Sequence, residues 1–314
     1  MTQTRLQVQQ LSRRYGEQLA VNGISFKVEQ GEVLGFLGPN GAGKSTTMQM
    51  ITGNLAPSTG EVSVNGIDLL DNPKEAKAMI GFLPEQPPLY RELTVDEFLG
   101  YCAKLHGIRR RGVAEAVDQV KQRCGLTDMG RRLINNLSKG YQQRVGIAQA
   151  IIHSPELVIL DEPTVGLDPI QIRSIRGLIK ELGDDHSVIL STHILPEVQA
   201  TCDRVQIINR GELVVSDTIE GMMGRMAHDS MRIKLRQPPP LTELEQISGV
   251  VAVEALAEGH FRLACDPEQD PAEQVAIAAV EAGWGLLELT PEQRSLEDIF
   301  VDITCSESEE METV

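Results

Sequence analysis

The sequence predicts an α/β fold built on a parallel sheet, followed by a smaller α+β domain of ferredoxin-like order. Three observations predict it. Short apolar runs recur at Val33–Leu37, Leu157–Leu160 and Val188–Leu190, and such runs suit strands covered on both faces. Helix-period segments alternate with them, which is the pattern of a parallel sheet. Near residue 226 the chain changes character and takes up a β-α-β-β-α-β order, the split ferredoxin-like arrangement.

The elements follow in chain order. Residues 1–65 read as β-rich: Leu6 and Val8 alternate with polar neighbours, and Ser25-Phe26-Lys27-Val28 and Glu61-Val62-Ser63-Val64 do the same. Residues 94–182 read as mainly helical. Thr94 and Glu97 have capping-box spacing ahead of Phe98, Leu99 and Leu105. Ser138 precedes a helix carrying Val145, Ala148, Ile151 and Ile152. Ile175, Leu178, Ile179 and Leu182 fall at i, i+3, i+4 and i+7, the stripe of a core-facing helix. Further on, Met231–Arg236 alternates as a strand and Pro238–Pro240 break it. A short helix, strands near 250–256 and 260–265, a helix near 271–282 and a strand near 284–289 are expected next. Leu296, Ile299, Phe300 and Ile303 suggest a closing helix, and the glutamate-rich tail from Ser306 reads as disordered. The expected domains are therefore 1–225, 226–305 and a tail of 306–314.

Composition narrows the function classes. A chain of 314 residues exceeds one ordinary domain, and 41% hydrophobic residues suffice for a packed core. A net charge of −16 disfavours broad nucleic-acid binding, which needs a basic face, so no nucleic-acid partner is expected. Cys102, Cys124, Cys202, Cys265 and Cys305 are scattered, with no CxxC pair, which argues for free thiols in a reducing compartment and against zinc. The opening MTQTRLQVQQ lacks the apolar core of a signal peptide. No stretch approaches the roughly 20 apolar residues of a membrane span. A role at a membrane would run through a separate membrane partner.

Two constellations carry chemistry. Gly38-Pro39-Asn40-Gly41-Ala42-Gly43-Lys44-Ser45-Thr46 fits GxxxxGK[ST], with an apolar strand before it and a helical run, Met48 to Thr52, after it. The glycines let backbone N–H groups turn inward as an anion nest, and the helix directs its positive end at phosphates. Lys44 can reach the β- and γ-phosphates of ATP, and the Ser45 hydroxyl can bind Mg²⁺. The second constellation is Leu157-Val158-Ile159-Leu160-Asp161-Glu162-Pro163. Here an apolar strand delivers two carboxylates to its C-terminal edge, where open α/β sheets bind ligands. Asp161 would hold Mg²⁺, directly or through water, and Glu162 would act as general base on the attacking water. Alone, an Asp-Glu pair after an apolar run would read as a helix start; the phosphate loop upstream changes its meaning.

With these motifs in this order, residues 1 to about 225 resemble the ATP-binding subunits of ABC transporters. The resemblance implies a P-loop NTPase with a RecA-like core, an antiparallel β subdomain and a helical subdomain. It implies that Tyr15 stacks on adenine, although an ordinary core tyrosine is the competing reading. It implies that Gln86 contacts Mg²⁺ and the attacking water, and that His193 senses the γ-phosphate. Gly166-Leu167-Asp168-Pro169 matches a loop that crosses between paired subunits, and it suits a plain turn before a helix equally well.

The segment Leu137-Ser138-Lys139-Gly140-Tyr141-Gln142-Gln143-Arg144 matches the family signature, usually LSGGQ. Lys139 and Tyr141 depart from it, while Ser138 and Gly140 keep the means to bind a γ-phosphate at a helix N-terminus. Lys139 either adds positive charge there or faces solvent. The variant, and the ending Arg294-Ser295-Leu296-Glu297-Asp298-Ile299-Phe300, resemble the ATPases of ABC-2 type exporters, gliding-motility-associated members among them. The resemblance implies ATP hydrolysis with Mg²⁺, a head-to-tail homodimer, a separate integral membrane permease, and a place on the cytoplasmic face of the inner (plasma) membrane. The competing expectation is a soluble ABC ATPase of translation or DNA repair. Its usual marks, two motif sets or a long coiled-coil insertion, are missing from this sequence. His260, Cys265 and Trp284 in the second domain read as structural.

Overall fold

The computed structural model describes residues 3–225, 230–266 and 271–292. The closing helix expected around Leu296–Ile303 and the tail from Ser306 lie outside them. The chain divides into two compact units, Met1–Ile219 and Glu220–Val314.

The first unit opens with β1 (Thr4–Tyr15), β2 (Gln18–Glu29) and β3 (Val33–Leu37), and α1 (Lys44–Ile51) follows the glycine loop. Next come β4 (Thr59–Val64), β5 (Ile67–Asp68), α2 (Pro73–Ala78) and β6 (Ile80–Leu83). The helical stretch contains α3 (Val95–Leu105), α4 (Val113–Arg123) and α5 (Lys139–Ile151). After it run β7 (Leu157–Asp161), α6 (Pro169–Gly183), β8 (Ser187–Thr192) and α7 (Leu195–Thr201). The hairpin β9 (Arg204–Asn209) and β10 (Glu212–Thr218) closes this unit, and α8 (Ile219–Arg225) begins at its last residue and continues into the second.

Two sheets result. An antiparallel sheet has the order β2-β1-β4-β5, and a six-stranded sheet has the order β10-β9-β3-β8-β7-β6. Within the latter, β9, β3, β8, β7 and β6 pair in parallel, and only β10 runs antiparallel, at the edge. The strand β3 lies in the β-rich first 65 residues, yet it joins the parallel sheet. Its five residues are all buried, so it needs cover on both faces. β6 and β9 were not legible in sequence. β6 has only four residues, and β9 interrupts its apolar run with the buried polar residues Gln206 and Asn209.

The helices show why their sequences form them. Thr94 caps α3 with a full capping box: its hydroxyl accepts from Glu97 N, and the Glu97 carboxylate accepts from Thr94 N at 2.8 Å. On α6 the stripe Ile175, Leu178, Ile179 and Leu182 is buried, each side chain contributing on the order of 1.5–3 kcal/mol. Asp168 caps the same helix, accepting from Ile170 N and Gln171 N at 3.0 and 2.9 Å, with Pro169 in its first turn. Among the described residues, no helix is long and apolar enough to cross a membrane.

The second unit contains β11 (Ser230–Leu235), α9 (Leu241–Glu245), β12 (Val250–Ala257), β13 (His260–Cys265), α10 (Ala272–Glu281) and β14 (Leu286–Glu292). Its antiparallel sheet has the order β12-β13-β11-β14, which is the split β-α-β topology. The last strand starts later than its expected 284–289, because Gly283 and Gly285 hold positive φ in the preceding turn. Cys265 is buried in this unit's core with Met231, Ile233, Phe261 and Leu263, and Trp284 packs against that core.

Close packing between β6 and α5 makes one position intolerant. A Cβ on Gly81 would run into the Ala150 carbonyl and lie 2.9 Å from Pro155 Cγ. Gly81→Ala should destabilise the protein by about 2 kcal/mol, read as a lower urea midpoint of the full chain.

Candidate functional site

The site begins where β3 ends. Leu37 is the last buried residue of that strand, and the loop Gly38–Gly43 then turns back over it. A Cβ on Gly38 would collide with the Ile208 carbonyl, so the loop lies directly on β9. Gly41 and Gly43 have φ of +82° and +106°, which only glycine adopts at no cost. A hydrogen bond from Gly211 N to Ala42 O at 2.9 Å pins the loop from outside. The helix α1 starts at Lys44 and aims its positive N-terminal end into the loop.

Lys44 is buried. Its Nζ donates to the carbonyls of Gly38 at 2.8 Å and Pro39 at 3.2 Å, and stands 3.5 Å from Glu162 Oε1. Thus the loop's lysine and the strand's second carboxylate, far apart in sequence, form a buried ion pair. Ser45 hydrogen-bonds the Asp161 carboxylate, which also accepts from Ser191 Oγ at 2.7 Å. Burial pushes the Asp161 carboxyl above its usual range. The bonds from Ser191 and Ser45 oppose that shift, the Glu162 charge adds to it, and Lys44 opposes it.

Glu162 lies just beyond the end of β7 with φ of +50°, a left-handed conformation that costs a non-glycine residue energy. Its N–H donates to Ser191 O at 2.8 Å. Both of its carboxylate oxygens lie 2.9 Å from His193 Nδ1. Because the carboxylate can only accept, that ring nitrogen carries the proton. His193 follows the end of β8, so the two residues meet because β7 and β8 are parallel neighbours.

Lys44, Ser45, Glu162 and His193 line a cleft of about 550 Å³ together with Tyr15, Asn40, Gly41, Gly43, Thr46, Glu85 and Val165. Tyr15 is 45% exposed on its rim, so it is not a core tyrosine. The Arg13 guanidinium lies 4.9 Å from its ring centroid. A second cavity of about 680 Å³ adjoins the first and shares Ser45 and Glu85 with it. Gln86 lines this one, beside Ser45 and Asp161.

Pro39 and Ala42 act through their backbones in the loop. Ser138 and Gly140 are not brought to the cleft. Ser138 is the exposed N-cap of α5, and Gly140 is buried against the Gln171 side chain, which a Cβ would meet at 2.6 Å. Lys139 is exposed and lays its ammonium against Gly166, whose φ is +72°. Sequence reasoning missed Ser191, Glu85 and Arg13. Ser191 becomes visible only through the β7–β8 register, which sets Asp161 opposite it.

The ABC transporter family matches residues 21–165, which include the loop and the paired carboxylates. The bacitracin transport ATP-binding protein BcrA of Bacillus licheniformis is 36% identical over 296 residues, spanning 93% of this chain and 95% of that protein. The chain belongs to the ATP-binding subunits of ABC transporters. Such subunits are ATPases that work with membrane permease subunits. The linearmycin resistance ATP-binding protein LnrL of Bacillus subtilis is 37% identical over 227 residues, covering 72% of this chain and 73% of that protein. Among solved structures, cbiO1 from Clostridium perfringens, part of the ABC transporter complex cbiONQ, superposes with a TM-score of 0.65 at 28% identity. That match covers 70% of this chain and 90% of that one.

The raised Asp161 carboxyl sets a sign for stability in this ABC ATPase. A carboxyl whose folded-state value exceeds the ordinary 3.8 stabilises the fold when protonated and loses that contribution as pH rises through the shifted value. Asp161→Asn should therefore raise the melting temperature at neutral pH, by roughly 1 kcal/mol of stability. The difference from the unaltered protein should shrink towards pH 4 while ATP hydrolysis is lost; a thermal-melt series against pH, paired with a phosphate-release assay, checks both.

Proposed function

We propose that this chain is the ATP-hydrolysing subunit of an ABC-2 type exporter. It works as a head-to-tail homodimer beneath a separate integral membrane permease, on the cytoplasmic face of the plasma membrane. The observation that carries the reading is the convergence of Lys44, Ser45, Glu162 and His193 on one cleft, with Asp161 beside Ser45 in the adjoining cavity. BcrA and LnrL are named for bacitracin transport and linearmycin resistance, which supports removal of a compound from the cell. The same names leave the translation or DNA-repair reading without an observation in its favour. Likeness to gliding-motility ATPases rests on residues 294–300 and the signature variant alone.

The donor set suits Mg²⁺. Ser45 and Asp161 offer oxygen ligands in mutual contact, and the Gln86 amide lines the adjoining cavity, as a hard cation prefers. When bound, Mg²⁺ would neutralise charge on the β- and γ-phosphates. The chain's own residues do the rest. The loop's N–H groups and α1 cradle the phosphates, and Lys44 exchanges the Gly38 and Pro39 carbonyls for phosphate oxygens. Glu162 takes the proton of the attacking water as the water's oxygen bonds to Pγ and ADP departs. His193 holds the Glu162 carboxylate through Nδ1, and when its second ring nitrogen is protonated as well it would donate that proton in a hydrogen bond to the γ-phosphate. Tyr15, backed by Arg13, supplies a face for adenine.

The open cleft supports the homodimer. Ser138 and Gly140 stand at a helix N-terminus outside it, able to close over ATP held by a second copy. Loss of the γ-phosphate would release both sides and open the dimer. The surface around Leu89 to Tyr101 suits a permease contact, since Tyr90 and Tyr101 are exposed there with ring centroids 5.7 Å apart.

Glu162→Gln should lower turnover at least about a hundredfold while keeping ATP affinity. With ATP it should elute as a dimer on size-exclusion chromatography; a strictly monomeric ATP-bound form would sink the dimer reading. Co-purification of a multi-span membrane protein with the full chain is expected, and ATPase stimulation by ribosomes or DNA without such a partner would reverse the assignment.

A further inference from the structure

A carboxylate outside the cleft sits where it can govern the geometry inside it. Glu197, in the first turn of α7, has no solvent exposure. A buried carboxylate is costly unless its oxygens are matched. Glu197 is matched from two directions. Oε1 accepts a hydrogen bond from Thr164 Oγ1, and Oε2 accepts one from Thr192 Oγ1 at 3.0 Å. The Arg176 guanidinium of α6 lies 3.9 Å from Oε1.

The two threonines belong to the two segments that carry the proposed chemistry. Thr164 is two residues after Glu162, and Thr192 is one residue before His193. Both threonines are buried. Thr192 is doubly engaged, because its hydroxyl also accepts from Ile194 N at 3.1 Å and so shapes the turn that leaves β8. Thr201 Oγ1 in turn donates to the Glu197 carbonyl at 2.6 Å, which ties the helix turn bearing the carboxylate to the next one.

Glu162 holds a left-handed backbone at φ +50°, and such conformations persist only where the surroundings over-determine them. Its N–H bond to Ser191 O fixes the strand side of the residue. Glu197 fixes the far side, by holding Thr164 against Thr192. The same bridge joins the segments that carry the Glu162 carboxylate and His193 Nδ1, which lie 2.9 Å apart.

We propose that Glu197 is a positioning residue for hydrolysis: its carboxylate clasps Thr164 and Thr192 and so holds Glu162 and His193 in register. It touches neither nucleotide nor water. The proposal rests on the hydrolytic role given above to Glu162, and its failure can be told apart from failure of that role.

The test uses the full chain, with steady-state ATPase kinetics and direct ATP binding. Thr192→Val and Thr164→Val keep shape and remove one hydroxyl each; Glu197→Gln keeps shape and removes the charge. Each should lower kcat by tenfold to about a hundredfold, the cost of a misplacement near 1 Å, with KM and ATP affinity within about twofold. Thr192→Ser, which restores the hydroxyl, should recover most of the lost kcat. A merely structural role would lower the active fraction without hydroxyl-specific rescue. Equal losses in Thr192→Val and Thr192→Ser, or kcat within twofold of the unaltered protein in all three variants, overturn the proposal. Glu162→Gln is run alongside. If it abolishes turnover while the three variants keep kcat within twofold of the unaltered protein, the positioning role alone fails; if it leaves turnover intact, the hydrolytic reading fails and the positioning role falls with it.

Discussion

The parallel pairing of β3, β8 and β7 is the constraint from which the site follows. Leu37 lies opposite Thr192, and Asp161 lies opposite Ser191. That register places the glycine loop, the two carboxylates and His193 on one edge of the sheet, at the C-terminal ends of three neighbouring strands. Open α/β sheets bind ligands there because the loops leaving adjacent strands converge. A slip of one residue would turn Glu162 away from Lys44 and His193, since alternate residues face opposite sides of a sheet. The wholly buried character of β3, β7 and β8 protects the register, because no slipped pairing would bury the same apolar residues as well.

Charge is concentrated within this frame at a cost in stability. Lys44, Asp161 and Glu162 are all buried, and each is held by named partners. Lys44 and Glu162 offset one another across 3.5 Å, and Asp161 is supported by two serine hydroxyls. Pre-set charges act strongly on a substrate because they need not reorganise during the reaction. The same burial raises the Asp161 carboxyl, and the neighbouring Glu162 holds a strained backbone. Such departures from local preference are what an active site requires of its fold.

The signature segment departs from the family pattern at exposed positions. Gly140 is retained where a Cβ would strike Gln171. Lys139 stands where the usual form has glycine, and its exposed side chain lies along Gly166. Of the two expectations for Lys139, the structure shows solvent exposure together with contact to the loop that begins α6. Tyr141 is at the surface as well. Both substitutions thus fall on exposed positions, while the buried glycine is unchanged.

Much of this was legible in sequence, for reasons that are local. The glycine loop declares itself because positive φ and close backbone approach demand glycine at Gly41 and Gly43. The Thr94 capping box, the α6 stripe and the three apolar strands are periodic or short-range features, and they appeared where expected. Non-local facts were not legible. Nothing in the sequence says that Ser191 hydrogen-bonds Asp161, that Arg13 lies over Tyr15, or that Glu197 clasps Thr164 and Thr192. Those contacts depend on strand order and register, which arise from the packing of the whole unit. By itself the sequence determined which residues can carry phosphate and proton chemistry, because backbone conformation and side-chain type are local properties. Only the tertiary structure decided which of them meet, because distance across a sheet is set by pairing between segments that the chain keeps far apart.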